Sequence, residues 1–433
     1  MNNGQHEVHL NLNVRGLPVS ATLGINEESN RLIAEGKQVY KLGLGQSPFP
    51  VPQPVVKELQ NNAHQKDYLP VRGLPALCEA IAGYYRRTQD LSIARENILI
   101  GPGSKELMFI LQLVYYGDLV IPTPSWVSYA PQAHIVGRHV HWLQTKEECN
   151  WLLSAADLEN FCLSDPSKPR IVILNYPNNP TGCSYTPAQL EELAQVARKY
   201  RIILLSDEIY GELNFTGNHK SIARYYPEGT IIASGLSKWA GAGGWRLGSF
   251  AFPNELKWLL EAMAVVASET FTATSAPIQF AAVRAFQGGE QIERYLCNCR
   301  RILKALTDWI WDQLTAVGIT VARPDGAFYM LPDFEPLREQ FQARGIRDGA
   351  TLCRRLLQET GVAILPGSSF GRPVTELTAR IACVDFDGAK ALAAAEQLGA
   401  DAELDEVFLR NYCEKMVTAI EKMCAWAKGE THS

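Results

Sequence analysis

Lys238 lies in the run Ser-Gly-Leu-Ser-Lys-Trp-Ala-Gly-Ala-Gly-Gly-Trp-Arg, residues 234–246, between a predicted strand and a glycine-rich loop. Upstream come Asn-Tyr-Pro-Asn-Asn-Pro-Thr-Gly at 175–182 and Ser-Asp-Glu-Ile-Tyr at 206–210. An amine (Lys238), a carboxylate (Asp207), a phenol (Tyr210), an amide (Asn179) and a guanidinium (Arg246) thus recur at predicted strand ends. A neutral amine attacks an aldehyde, and nearby cations with partial desolvation favour the neutral form. Once released, the same amine can move a proton as general base and then acid. A carboxylate keeps a pyridine nitrogen protonated, which makes the ring a better electron sink. Phenol and amide donors suit a ring oxygen, while cations and backbone N–H groups suit a phosphate. Together these are the groups that hold pyridoxal phosphate (PLP) as a Schiff base.

The elements that must position them read as strands alternating with helices. Strands are expected at Asn97–Ile100, Leu119–Ile121, Arg170–Leu174, Ile202–Leu205, Thr230–Ala233 and Leu247–Phe252, with a helix over Pro187–Tyr200. Strands that are apolar throughout, separated by helices, indicate a mostly parallel sheet covered on both faces. In such sheets ligands bind just beyond the strand ends. Gly103-Ser104-Lys105 opens a helix directly after a strand, and exposed N–H groups there suit a phosphate dianion. Asp207 terminates a run of Ile and Leu, where an unpaired charge is expensive and a pyridinium would supply the missing cation. After a long helix over roughly Gln291–Val317 the pattern changes. Strands are expected at Ile319–Ala322, Ala327–Leu331, Val362–Leu365 and Ala379–Val384, with helices near Asp348–Glu359 and Glu406–Ala427. The expected fold class is α/β, a mostly parallel sheet between helices followed by an α+β unit; the family resemblance described below implies a large domain with a seven-stranded type of sheet and makes the α+β unit the smaller domain.

Bulk composition narrows the function. The 433 residues carry 41 basic and 46 acidic side chains, for a net charge of −5, with no long basic tract. That balance leaves no electrostatic footprint for nucleic acid. No apolar run approaches the ~20 residues of a membrane span. The opening Met-Asn-Asn-Gly-Gln-His-Glu-Val lacks the basic and apolar regions of a signal peptide, so a cytoplasmic enzyme is expected. The ten cysteines are scattered, without a Cys-x-x-Cys, so no metal site is expected and most read as small buried hydrophobes. Cys183, just after the Asn-Pro turn, is flagged only for its position.

Three signatures in this order resemble a fold-type I, class I/II aminotransferase of the aspartate aminotransferase superfamily, over most of the chain. The resemblance implies a PLP-dependent transaminase moving an amino group between an α-amino acid and a 2-oxo acid. It places Lys238, Asp207 and Tyr210 at the catalytic centre. Ser104, Lys105, Trp126, Asn179, Ser237 and Arg246 would join them in binding the cofactor, Trp126 by stacking on the pyridine ring and Arg246 by a two-pronged phosphate contact. Arg380, in Thr-Ala-Arg-Ile-Ala, matches the arginine that binds the substrate carboxylate, with Gly45, Trp126 and Asn179 completing that region. Tyr68 matches a tyrosine that reaches the phosphate of the neighbouring subunit, which implies a homodimer with shared sites. The large domain would span 51–295, and 1–50 with 296–433 would form the small one.

The chain departs from the family pattern at Gly235, where many members have a phosphate-binding serine, and in the looser Gly241-Ala242-Gly243 loop. It also reads Gly45-Gln-Ser-Pro where Gly-Glu-Pro-Asp is common, and its segment Asp387–Asp405 is longer than usual. Scaffold does not dictate reaction. A C–S lyase, a cyclopropane-forming synthase or a decarboxylase on the same frame is therefore the alternative. A transcription factor with an aminotransferase-like sensor would need a DNA-binding domain ahead of a resemblance that already begins near the N-terminus. No second arginine stands in a recognisable place for a distal carboxylate.

Overall fold

A computed structural model of the chain describes residues 9–17 and 19–430. Its centre is a seven-stranded sheet. In chain order the strands are β1 (Ile98–Gly101), β2 (Asp118–Thr123), β3 (Val140–Gln144), β4 (Arg170–Asn175), β5 (Ile203–Asp207), β6 (Thr230–Gly235) and β7 (Gly248–Ala251). Across the sheet they run β1-β7-β6-β5-β4-β2-β3. All pairs are parallel except those of β7, which is antiparallel to both β1 and β6.

Period-two alternation splits the side chains between two cores. Leu119, Ile121, Ile171, Ile173, Ile203 and Leu205 pack against the helices Ser104–Val114 and Lys257–Glu269. Val120, Val172, Leu174 and Leu204 pack against the helix Pro187–Lys199 on the other face. That helix begins where Thr186 and Gln189 cap each other's backbone N–H groups and Pro187 takes the first turn.

Strand β3 has no counterpart among the expected strands. It sits at the sheet edge with a half-exposed pattern, so it lacks the apolar run that marks its neighbours.

A second unit carries a three-stranded antiparallel sheet, Leu365–Pro366, Ala379–Ala382 and Tyr329–Met330, and a parallel pair, Tyr40–Lys41 with Val362–Ala363. Three expectations are corrected here. Ile319–Ala322 is not a strand: a single bridge joins Thr320 to Asp333, whose neighbour Pro332 has no N–H to extend a ladder. Val362–Leu365 divides between two sheets. Glu406–Ala427 is two helices, Glu406–Tyr412 and Glu414–Ala427, broken at Cys413 with neither glycine nor proline to announce it. The long segment after the Arg380 strand folds as the helix Gly388–Leu398, capped by Asp387, and leads to Asp405, which caps the next helix.

The helix Glu290–Ala316 runs unbroken through residue 295, and one hydrophobic cluster extends from Tyr40 through Trp239 and Phe328 to Trp426. No helix of the described residues is long and apolar enough to cross a membrane. No His, Cys, Asp and Glu cluster among them has the makings of a metal site.

Candidate active site

The parallel strands end side by side, and their registers decide what meets there. Asn175 at the end of β4 is opposite Asp207 at the end of β5, and Asp207 is opposite Ala233 in β6. Lys238 lies three residues past the end of β6. A cavity of about 490 Å³ opens at this edge. Ten of the twelve expected site residues line it: Gly45, Ser104, Lys105, Trp126, Asn179, Asp207, Tyr210, Ser237, Lys238 and Arg246. A larger cavity of about 720 Å³, between the helix Ala21–Ala34 and residues 350–366, contains none of them.

Asp207 is the floor. Its side chain is buried, and Oδ2 accepts from the Tyr129 hydroxyl at 2.5 Å while Oδ1 accepts from the Ile209 N–H at 3.4 Å. Burial pushes its carboxyl up to about 6, against the opposing pull of those two contacts. Asn175 braces the same corner: its Nδ2 donates to the Asp207 carbonyl at 2.9 Å and its Oδ1 accepts from the Asn179 N–H at 2.7 Å.

Three cations ring the cavity. Lys238 Nζ donates to the Gly45 carbonyl at 2.8 Å. Lys105 Nζ lies 5.1 Å from the Trp126 ring centroid, and its pKa is lowered by burial and by Arg246 and Lys238. Arg246, with a left-handed φ of 55°, donates to the carbonyls of Gly243 at 2.8 Å and Pro102 at 3.2 Å. Among the described residues none of the three forms an ion pair with a carboxylate.

A row of glycines brings these groups together. Gly101, Gly248 and Gly235 are directly opposite one another across β1, β7 and β6. A Cβ on Gly248 would stand 2.1 Å from the Ser104 backbone nitrogen, and one on Gly103 2.3 Å from Arg246 Nη2. The first turn of the helix Ser104–Val114, whose N–H groups lack intrahelical acceptors, is thereby drawn against the strand ends. Gly235 has the same constraint: its Cβ would meet the Leu247 carbonyl at 2.6 Å, so a serine there would demand a backbone shift.

Arg380 and Tyr68 are the two expected residues outside the cavity lining. Arg380 is buried behind Asn179, donating to Asn179 Oδ1 at 3.0 Å and to the Gly43 carbonyl, and it is sandwiched between the rings of Tyr329 and Phe370. Its Nε has no partner. Tyr68 is 92% exposed.

Three residues that brace the expected site residues were absent from the expectations. Tyr129 lies three residues past Trp126 and packs edge-on against it, across a turn in which the Tyr129 N–H donates to the Trp126 carbonyl at 3.3 Å. Asn175 opens the motif that contains Asn179. Tyr329, whose hydroxyl is 3.0 Å from that of Tyr210, comes from 119 residues away, and only the fold reveals it. Cys183 is buried with its thiol pushed up to about 12 by desolvation, so it is unreactive packing.

The family model "Aminotransferase class I and II" matches residues 37–397. The chain belongs to that family. An aspartate aminotransferase from Bacillus sp. (strain YM-2) is 33% identical over 372 residues, 84% of this chain and 92% of that protein. An asparagine–oxo-acid transaminase from Streptococcus mutans is 30% identical over 365 residues, 82% and 90% of the two. The aspartate aminotransferase of Thermus thermophilus, solved with maleate, superposes with a TM-score of 0.81 at 28% identity, covering 96% of this chain and 99% of that one. The chain is an aminotransferase enzyme, and its family is generally PLP-dependent.

Proposed function

We propose that this aminotransferase binds PLP in the cavity at the sheet edge and moves an amino group between an α-amino acid and a 2-oxo acid in two half-reactions. The observation that carries the reading is charge: three cations without carboxylate partners line a cavity whose floor is a buried carboxylate with no ion-pair partner among the described residues. A phosphate dianion and a pyridinium nitrogen answer both deficits.

The residues fit the group. The N–H groups at the start of the helix Ser104–Val114, with Ser237 and Arg246, would hold the phosphate. Asp207 would hold the ring nitrogen, Tyr210 and Asn179 the ring oxygen, and Trp126 the ring face. When bound, PLP supplies an electron sink for the charge released as the substrate Cα–H bond breaks.

Lys238 Nζ takes the proton from the substrate Cα and later delivers it, since it already projects into the cavity within reach of Gly45. Tyr129 and Asn175 keep Asp207 in place. Arg380 binds the α-carboxylate by exchanging its present acceptors, Asn179 and Gly43, for a bidentate contact. Tyr329 supports Tyr210 from below. The reading includes a homodimer in which Tyr68, exposed on its own chain, reaches the partner's site. It also keeps the division into 51–295 and 1–50 with 296–433, the helix Glu290–Ala316 joining the two.

The test is spectral. With an amino acid alone, the absorbance of the bound cofactor should change once per site and stop, and a 2-oxo acid should restore it. Continuous turnover with release of ammonia or carbon dioxide, and no need for an oxo acid, would refute the reading.

A further inference from the structure

We infer that Arg372 is a positioning residue for the substrate α-carboxylate, which it serves by clamping Phe370 against the guanidinium of Arg380. This rests on the transaminase reading and deepens it at the same site.

Arg380 depends on its neighbours for orientation. Its Nε has no partner, and Asn179 and the Gly43 carbonyl accept from its two terminal nitrogens. An incoming carboxylate replaces those two acceptors. What then holds the plane of the fork is the pair of rings on its faces, Tyr329 at 4.7 Å and Phe370 at 4.8 Å. Tyr329 belongs to a strand paired with the Arg380 strand. Phe370 instead ends the short turn Gly367–Phe370, in the connection between the strands Leu365–Pro366 and Ala379–Ala382. The Phe370 backbone is tied to the large unit by a hydrogen bond from the Ser125 N–H to its carbonyl at 2.9 Å.

Arg372, two residues on, makes the second tie. Its Nε and Nη2 grip Glu376 at 2.9 and 2.7 Å, which closes the connection on itself four residues before Arg380. Nη1 donates to Gln144 Oε1 at 3.1 Å, the Thr145 carbonyl at 3.1 Å and Thr123 Oγ1 at 3.2 Å, at and just past the ends of β2 and β3. The guanidinium lies over the Trp151 ring at 4.6 Å, with its side chain only 8% exposed. A planar group with five donors can hold a carboxylate along one edge and a sheet end with the nitrogen left over. A lysine has no such fork.

The test compares variants of the holoenzyme at saturating cofactor. Arg372→Leu should raise KM about fivefold or more for every amino donor, with kcat within about twofold of wild type, because the lost support serves ground state and transition state alike. The unreactive carboxylate made by deleting the amino group of the best donor should weaken by a similar factor in calorimetric titration, which needs no turnover. Phe370→Leu should reproduce the rise. The double variant should be little worse than either single one, since both remove the same support. Gln144→Leu, at an exposed strand end, loses one acceptor and should move KM the same way by a smaller factor, which keeps the clamp testable if Arg372→Leu folds poorly.

An unchanged KM in Arg372→Leu, with only a lower unfolding midpoint, makes Arg372 a structural tie and overturns the inference. So do effects of Arg372→Leu and Phe370→Leu that multiply fully in the double variant. Arg380→Lys is the control. If it too leaves KM unchanged, the carboxylate site of the transaminase reading fails and the inference falls with it. A raised KM there beside an unchanged KM in Arg372→Leu confines the failure to Arg372.

Discussion

Replacing Asp207 with asparagine should make the apoprotein more stable at neutral pH while disabling the enzyme. Burial raises the carboxyl from 3.8 to about 6. In the cofactor-free protein the folded state therefore binds this proton more tightly than the unfolded chain does. The group costs nothing below about pH 4, and the cost grows as the pH rises toward 6, because the charged form is the one burial disfavours. The full gap corresponds to about 3 kcal/mol, at about 1.36 kcal/mol for each tenfold change in proton affinity. Roughly half of it falls between pH 5 and pH 8. Asp207→Asn removes the titration but keeps the shape, and its amide oxygen still accepts from Tyr129. Urea unfolding of the two apoproteins at matched subunit concentration, at pH 5 and pH 8, isolates this contribution. Wild type should lose roughly 1 kcal/mol more than the variant over that interval. In the holoenzyme the order reverses: the variant lacks the counter-charge for the pyridine nitrogen, and kcat falls by orders of magnitude. Parallel pH dependence of the two apoproteins would refute the buried-charge argument, and a loss of kcat below about tenfold would refute the electron-sink role.

Other perturbations probe the supporting residues. Tyr129→Phe deletes the 2.5 Å hydrogen bond to Asp207, a contact to a charged group worth roughly 1.5–3 kcal/mol, so the Asp207 carboxyl should titrate higher and cofactor affinity should fall at mildly acidic pH, where the carboxyl takes up a proton. Arg380→Lys should lower kcat/KM for every amino donor while leaving the resting spectrum unchanged, since an ammonium cannot reproduce the planar fork. Arg372 joins Glu376 at 2.7 Å to Gln144 at 3.1 Å and the Thr145 carbonyl at 3.1 Å, and it stacks on Trp151, so it ties the Arg380 region to the edge of the large sheet. Arg372→Leu leaves Glu376 unpaired and should cost roughly 3 kcal/mol in denaturant unfolding. Mixing a Tyr68→Phe chain with a Lys238→Ala chain should restore activity through heterodimers carrying one intact site. Verified subunit exchange without activity would place Tyr68 elsewhere.

The sheet was readable because its inner strands are apolar on both faces and its helices are capped by local signals such as Thr186-Pro187. Strand β3 was not, because an edge strand needs no apolar run. The break at Cys413 and the demotion of Ile319–Ala322 depend on partners far along the chain, which local pattern does not contain. The same division holds at the site. Lys238, Asp207, Asn179 and Arg246 sit in motifs with recognisable spacing, and ten of the twelve expected residues line one cavity. Tyr329 and the glycine row of Gly101, Gly248 and Gly235 act through tertiary approach, so their sequence neighbourhoods carry no hint of it. The row also accounts for Gly235: a side chain there would push β6 against the Leu247 carbonyl.

The most direct test of the account is the identity of the amine that carries the cofactor. Borohydride reduction of native holoenzyme fixes the cofactor to its lysine, and peptide mass mapping then locates it. The account predicts one modified residue per chain, Lys238. Modification of Lys105 or any other lysine, with Lys238 unmodified, would contradict it.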